Sequence, residues 1–233
     1  MASSKRADAA RAELGLGVAA QTRELVLVAA GAAHLLNNVT LTVASQLLLA
    51  EGALGTDAGG VEELETARRA LELNTLLARR LSALAQAHGV HARVERDVAH
   101  EVADGIAKAR HRVGASEVPI EAHVVTRLAR VAPPALSMVT EELVANALEA
   151  GARGVRVRAS ARADHLVLRV EDDGAGMTKE LARRAADPFV TTRPRAQHCG
   201  IGLTLVRAWT RGRYRIAPRA NGGTTVSASL RAR

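Results

Sequence analysis

The chain has 233 residues, 48% of them hydrophobic, but only one Phe, one Tyr and one Trp, so its cores must be packed with aliphatic side chains. Its formal net charge of +8 fits an anionic partner, yet the basic residues are scattered and stacking aromatics are almost absent, which disfavours a nucleic-acid binder. A single cysteine excludes an intramolecular disulfide framework and a multi-cysteine zinc site.

The N-terminal segment and the hydropathy of the chain bear on its location. Residues 1–20 are predicted to be flexible, and they lack the apolar core of a signal peptide. No apolar stretch reaches the ~18 residues that are needed to span a bilayer. These features predict a soluble, cytoplasmic protein that has no membrane segment.

Residues 21–89 have the periodicity of two amphipathic helices. Apolar residues recur every three or four positions from about residue 22 to 54 and again from 64 to 85, and the glycine-rich residues 55–60 separate the two stripes. This pattern predicts an antiparallel helical hairpin. Because two helices make a thin core, we expect two copies to pair as a dimeric four-helix bundle.

Residues 90–233 have a mixed periodicity, and we place a domain boundary close to Gly89. The predicted elements follow in this order: a weak helical pattern over 91–112, a strand over 118–125, a helix from Pro134 to Ala150, strands over 154–160 and 165–171, helices over 178–186 and 202–212, and a final hairpin of strands over 214–217 and 224–230. Helices interleaved with mostly antiparallel strands predict an α+β sandwich.

Glu142 and Asn146 are the first pair of residues that could carry chemistry. They lie four apart on the helix predicted to begin near Pro134, so both project from one face. A carboxylate and an amide oxygen suit Mg²⁺ and nucleotide phosphates. The alternative is a pair of exposed polar residues at helical spacing.

Two glycine-bearing segments could surround a nucleotide. Asp172 ends a predicted strand, and Gly174 and Gly176 follow it, so the carboxylate could accept from an exocyclic amine while the backbone approaches a flat ring. Gly200 and Gly202 open a later helix, whose free amides can receive a phosphate. The alternatives are an ordinary turn and, for the polar residues 187–198 that precede this helix, a surface connector instead of a mobile lid.

The order of these motifs resembles that of a known fold. Glu-x-x-x-Asn, Asp-x-Gly-x-Gly, Pro-Phe-x-Thr-Thr, Gly-x-Gly-Leu and Gly-Gly-Thr-Thr succeed one another between about Val118 and Leu230, as in the ATP-binding fold of histidine kinases, gyrase, Hsp90 and MutL. The resemblance implies that the chain binds ATP and Mg²⁺. It implies the following roles: Asn146 as the Mg²⁺ ligand, Asp172 as the adenine-binding carboxylate with Gly174 and Gly176 in its loop, Gly200, Gly202 and Leu203 at the phosphate-side lid, Thr224 in a water-mediated adenine contact, and Arg193 as the basic residue of the family's Thr-Thr-Lys-Pro stretch.

His34 lies on the first helix of the predicted hairpin, on the side facing away from the apolar stripe. A neutral imidazole there can act as a nucleophile, and Asn38, one turn further on the same face, can hydrogen-bond the phosphohistidine or orient a water. A lone exposed histidine is more often only a solvated residue. Its placement upstream of the ATP motifs, however, resembles the dimerisation and histidine-phosphotransfer domain of two-component kinases, which implies that His34 accepts phosphate.

Leu35 departs from that family, which usually has an acidic residue directly after the histidine. Glu142 resembles the general base of the ATPase members of the fold, which implies that it could serve instead; otherwise autophosphorylation is slow or absent. Three functions stay open. The favoured one is a soluble kinase that autophosphorylates His34 and donates to a response regulator; the others are a histidine phosphotransferase and an ATPase or ATP-driven switch.

Overall fold

The computed structural model describes residues 36, 40–41, 43–45, 47–48, 58–89, 92–115, 117–192, 200–220 and 222–232. The chain divides into two compact units, residues 1–88 and residues 89–233. His34, Asn38 and Arg193 lie outside the described residues.

The first unit contains the long helix α1, Ala58–Ala87, which corresponds to the second predicted helix. Ion pairs between residues four apart, Glu65 with Arg69 and Arg68 with Glu72, support its exposed face. The described residues between 36 and 48 are also helical. The predicted turn over 55–60 is wrong for its last three residues, because α1 already begins at Ala58. Among the described residues, no helix combines the length and the apolar character needed to cross a membrane.

The second unit contains four helices and seven strands among its described residues. In chain order they are β1 (Val94–Asp97), α2 (Val98–Val113), β2 (Ile120–Val124), β3 (Leu128–Val131), α3 (Ala135–Glu149), β4 (Val155–Arg162), β5 (His165–Asp172), α4 (Lys179–Arg184), α5 (Gly202–Trp209), β6 (Tyr214–Pro218) and β7 (Thr224–Arg231). These bounds confirm the helix predicted to begin near Pro134 and the strands predicted to pair on either side of residue 163.

The strands form a mixed sheet and a small ribbon. The five-stranded sheet has the order β2-β4-β5-β7-β6, in which β2 and β4 are parallel and the other neighbours are antiparallel. β1 and β3 form a separate antiparallel pair. Helix α3 packs against β4, β5 and β7 and also contacts α2 and α5. The predicted α+β sandwich is therefore confirmed for this unit.

The core lies between the helices and one face of the sheet. Val157 on β4, Leu168 on β5 and Ala228 on β7 are fully buried, and their strands alternate buried with more exposed residues. Helices α2 and α3 approach closely at Gly105, where a Cβ would lie 2.5 Å from the carbonyl oxygen of Ser137. This close contact fixes α3, the helix that carries Glu142 and Asn146, against α2.

The segment before β2 differs from its prediction. The weak helical pattern over 91–112 contains a strand, β1, followed by a helix that begins only at Val98. The Asp97 side chain caps this helix by accepting from the N–H of His100 at 3.0 Å, and Gly114 ends it with a φ of +69°. Strands of four residues, such as β1 and β3, are too short to show a clear alternation in sequence.

Candidate functional site

Asp172 is the last residue of β5, and its carboxylate is buried with one of its two oxygens hydrogen-bonded. Its Oδ1 accepts hydrogen bonds from the backbone N–H groups of Gly174 at 3.0 Å and Thr224 at 3.1 Å. The residue is only 6% exposed, and this burial raises the pKa of Asp172 above its ordinary value, although the two N–H donors oppose the rise. Within the described part of the chain, Oδ2 accepts no hydrogen bond. Oδ2 can therefore accept from a ligand's amine.

Glycines surround Asp172 where a side chain would not fit. A Cβ on Gly223 would lie 2.0 Å from the carbonyl oxygen of Asp172, and a Cβ on Gly176 would lie 2.9 Å from the carbonyl oxygen of Gly223. Both glycines have positive φ angles, +81° and +71°. The chain thus brings the loop after β5 against the turn before β7, with Asp172 between them.

Gly174 links this loop to the end of α3. A Cβ on Gly174 would lie 2.8 Å from the carbonyl oxygen of Ala150, and the N–H of Ala175 donates to the same oxygen at 3.0 Å. Ala150 directly follows α3. The loop of Asp172 and the helix of Asn146 therefore belong to one continuous region of the second unit.

Two charged residues beside Asp172 were not identified from the sequence. The Arg219 guanidinium donates to the backbone carbonyl of Asp172 at 2.7 Å. Asp173 accepts from the N–H groups of Arg153 at 2.7 Å and Gly154 at 3.0 Å, and these hydrogen bonds lower the pKa of Asp173. No spacing rule predicts either contact, because both depend on how the β6–β7 and α3–β4 turns fold back towards β5.

Helix α3 places Glu142 and Asn146 one turn apart. Glu142 is 3% exposed and Asn146 is half-buried, so the alternative of two exposed polar residues does not hold. The Glu142 Oε1 atom accepts from Arg112 Nη1 on α2 at 3.0 Å. This ion pair engages the carboxylate that the sequence indicated as a general base. Arg112 itself was not identified from the sequence.

The start of α5 is held close to the segment that follows α4. Gly200 has a φ of +63° and accepts at its carbonyl from the N–H of Phe189 at 2.9 Å. Gly202 begins α5 and is buried, whereas Leu203 is half-buried. The Thr204 hydroxyl donates to the carbonyl of Ala186 at 3.2 Å. These contacts hold residues 186–189 against residues 200–204, on either side of the segment for which the sequence leaves a mobile lid and a surface connector open.

The structure brings four of the predicted residues together, whereas His34, Asn38 and Arg193 lie outside the described residues. Asp172, Gly174, Gly176 and the backbone of Thr224 form a single site. Among the described residues, no three His, Cys, Asp or Glu side chains are grouped so that they could hold a metal ion. A cation at Asn146 would thus depend on further ligands, such as phosphates and water.

Comparison with known proteins shows what the second unit is similar to. Residues 132–233 match the family described as histidine kinase-, DNA gyrase B- and HSP90-like ATPase. The signal transduction histidine-protein kinase AfsQ2 of Streptomyces coelicolor is 38% identical over 81 residues, which cover 33% of this chain and 15% of that protein. The match thus spans about one-seventh of the curated relative.

Solved structures share the fold at lower identity. The mycobacterial sensor histidine kinase MprB is 21% identical with a TM-score of 0.51, over 62% of this chain and 99% of that one. The histidine kinase AdeS of Acinetobacter baumannii is 16% identical with a TM-score of 0.58, over 84% and 96%. Full-length ShkA, solved in complex with AMPPNP, is 16% identical with a TM-score of 0.66, over 90% and 46%.

The matched residues 132–233 contain α3, the Asp172 loop, α5 and the turn at Gly223, which are the elements that build the site. This part of the chain is therefore similar to the ATP-binding domain of the histidine kinase-, DNA gyrase B- and HSP90-like ATPases, and the relatives compared above are histidine kinases.

Proposed function

We propose that the chain is a protein-histidine kinase that binds Mg-ATP, phosphorylates His34 and passes the phosphoryl group to an aspartate of a response regulator. Asp172 carries this proposal most directly. It is buried, its Oδ1 is engaged by two backbone donors, and its Oδ2 can accept from the amine of adenine. A protein that only relayed phosphate between receiver domains would have no use for such a site.

The remaining residues would hold the other parts of ATP. Asn146 would contribute a ligand to Mg²⁺, which neutralises charge on the phosphates. Gly174 and Gly176 would let the backbone approach the base, and Thr224 would contact it through water. Gly200 and Gly202, with Leu203 and Arg193, would lie on the phosphate side at the start of α5.

The transfer step requires few groups. The lone pair of a neutral His34 nitrogen forms the N–P bond as the bond between the γ-phosphorus and its bridging oxygen breaks, and ADP leaves. A base takes up the proton that the imidazole releases. Glu142 is our candidate, because it is a carboxylate that lies one turn from Asn146 on α3. Asn38 would orient the phosphohistidine.

The domain organisation follows from this mechanism. Residues 21–89 would form the dimerisation and phosphotransfer hairpin, and residues 90–233 would form the catalytic domain. Pairing of two hairpins would present His34 to a nucleotide site and then to the receiver domain of the response regulator. The described helix α1 supports the second half of such a hairpin.

Incubation of the purified chain with Mg²⁺ and γ-labelled ATP tests the proposal. We expect a label that acid removes and base does not, and that disappears in His34→Ala. His88→Ala is the matched control, because His88 is an exposed histidine at the end of α1 and should keep the label. A chain that binds ATP but takes up no label would favour an ATP-driven switch, and a chain that does neither would favour a phosphotransferase.

A further inference from the structure

Arg112 lies in the last turn of α2 and reaches three carboxylates of α3. Its Nη1 atom lies 3.0 Å from Oε1 of Glu142 and 3.1 Å from Oε1 of Glu141, and its Nε atom lies 3.9 Å from Oε1 of Glu149. The side chain of Arg112 is only 13% exposed, and that of Glu142 only 4%. In such a dehydrated setting, charges interact more strongly than at the protein surface.

Asn146 lies between two of these carboxylates. Glu142, Asn146 and Glu149 are spaced by four and then three residues, so they follow one stripe along α3. Arg112 is paired with the residues at both ends of this stripe.

We propose that Arg112 is a positioning residue of the nucleotide site: by pairing with Glu142 and Glu149 on either side of Asn146, it weakens the repulsion between these carboxylates and the phosphates of ATP. This inference rests on the proposed function, since it takes the phosphates to lie at Asn146. Arg112 precedes residues 132–233, the part of the chain that matches the ATPase family. The contact exists only because α2 packs on α3.

Equilibrium dialysis of the full chain against labelled ATP, once with Mg²⁺ and once with EDTA, tests this role. Arg112→Met removes the charge and keeps the length of the side chain. We expect it to weaken binding of metal-free ATP about tenfold and of Mg-ATP about twofold or less, because Mg²⁺ shields the phosphates from the carboxylates. Arg112→Lys keeps a cation and should bind both forms within about threefold of the wild type.

A second substitution separates charge from packing. Adding Glu142→Gln to Arg112→Met should restore most of the lost binding, since residue 142 then carries no charge to repel the phosphates. Lys108→Met is the matched control: Lys108 lies one turn earlier on α2, and pairs with Asp104 and Ser137 instead. We expect it to bind both forms within about twofold of the wild type.

Several outcomes would overturn the role of Arg112. If Arg112→Met weakens the binding of metal-free ATP and of Mg-ATP equally, Arg112 acts only in packing. If it changes the binding of neither, Arg112 has no role in the site. If Arg112→Met does not fold, the Glu142→Gln variant alone tests the inference. It should bind metal-free ATP severalfold more tightly than the wild type, and unchanged binding would refute the inference. A wild-type chain that binds neither form refutes the proposed function instead.

Discussion

At the scale of single residues, Asp172 is held in an environment that does not favour its charge. It is nearly inaccessible to water, and its partners are two backbone N–H groups rather than a cationic side chain within hydrogen-bond distance of Oδ1. Burial therefore outweighs the hydrogen bonds and raises the pKa of Asp172. Asp172 ends a strand beside a glycine loop. A carboxyl with a perturbed pKa in such a place is better explained by ligand binding than by a contribution to stability.

This raised pKa predicts the sign of a pH effect. The folded state holds the Asp172 proton more tightly than the unfolded state, so the stability contributed by this group falls as the pH rises from the ordinary Asp value through the folded pKa. Asp172→Asn keeps an oxygen for both N–H donors and removes the charge. We expect the variant to unfold at a higher urea concentration than the wild type at neutral pH.

The difference between the two urea midpoints should shrink at acidic pH, where the wild-type carboxyl is protonated. An Asn variant that is less stable than the wild type at neutral pH would contradict the prediction, because the charge would then stabilise the fold. Parallel circular dichroism at each pH would ensure that both proteins start from the same folded state.

At the scale of elements, the site depends on three segments that approach one another closely. Gly223 in the β6–β7 turn, Gly176 in the loop after β5 and Gly174 beside the end of α3 each occupy a place where a Cβ would meet backbone atoms. Backbone atoms have less freedom to move aside than a flexible side chain does. The geometry around Asp172 is therefore fixed by glycine positions as much as by hydrogen bonds.

Gly223→Ala tests this requirement against a matched glycine. Gly223 and Gly212 have similar φ angles of +81° and +77°, but a Cβ would lie 2.0 Å from the Asp172 carbonyl at Gly223 and would meet nothing within 4 Å at Gly212. In urea unfolding we expect Gly212→Ala to lower the free energy of unfolding by about 1 kcal/mol, from backbone strain alone. Gly223→Ala should lower it by more than about 2 kcal/mol. Equal losses would show that the close approach does not matter.

How far the sequence predicts these elements depends on where their signals lie. Strands β4, β5 and β7 alternate over eight residues, and the Glu142–Asn146 spacing follows one helix turn, so both are visible locally. The Arg112–Glu142 ion pair joins residues 30 positions apart, and it depends on how two helices pack. Strands β1 and β3, with four residues each, carry too few positions for a periodic signal.

At the scale of the whole molecule, the proposal requires two copies to pair through residues 21–89. Val43 lies on the apolar stripe of the first predicted helix, and its exposure of 43% is high for a large apolar side chain. A second copy would bury such residues in a four-helix bundle.

Sedimentation equilibrium of the full chain should give the mass of a dimer. We expect Val43→Lys to shift the equilibrium towards monomer by about tenfold or more in dissociation constant, because it places a charge in an apolar interface. Val94→Lys is the control, since Val94 is equally exposed, at 42%, but belongs to the second unit. A monomeric wild type, or an equal effect of both substitutions, would refute pairing through the hairpin.

Calorimetric titration with ATP and with GTP tests the central claim, that Asp172 forms the adenine site of a histidine kinase. The wild type should bind ATP at least about tenfold more tightly than GTP, because guanine has a carbonyl where adenine has an amine. Asp172→Asn should lower the affinity for ATP about tenfold and reduce the preference for ATP over GTP. Asp173→Asn changes an exposed neighbouring carboxylate and should leave the affinities for ATP and GTP within about threefold of the wild-type values. An Asp172→Asn variant that binds ATP as tightly as the wild type would contradict the account.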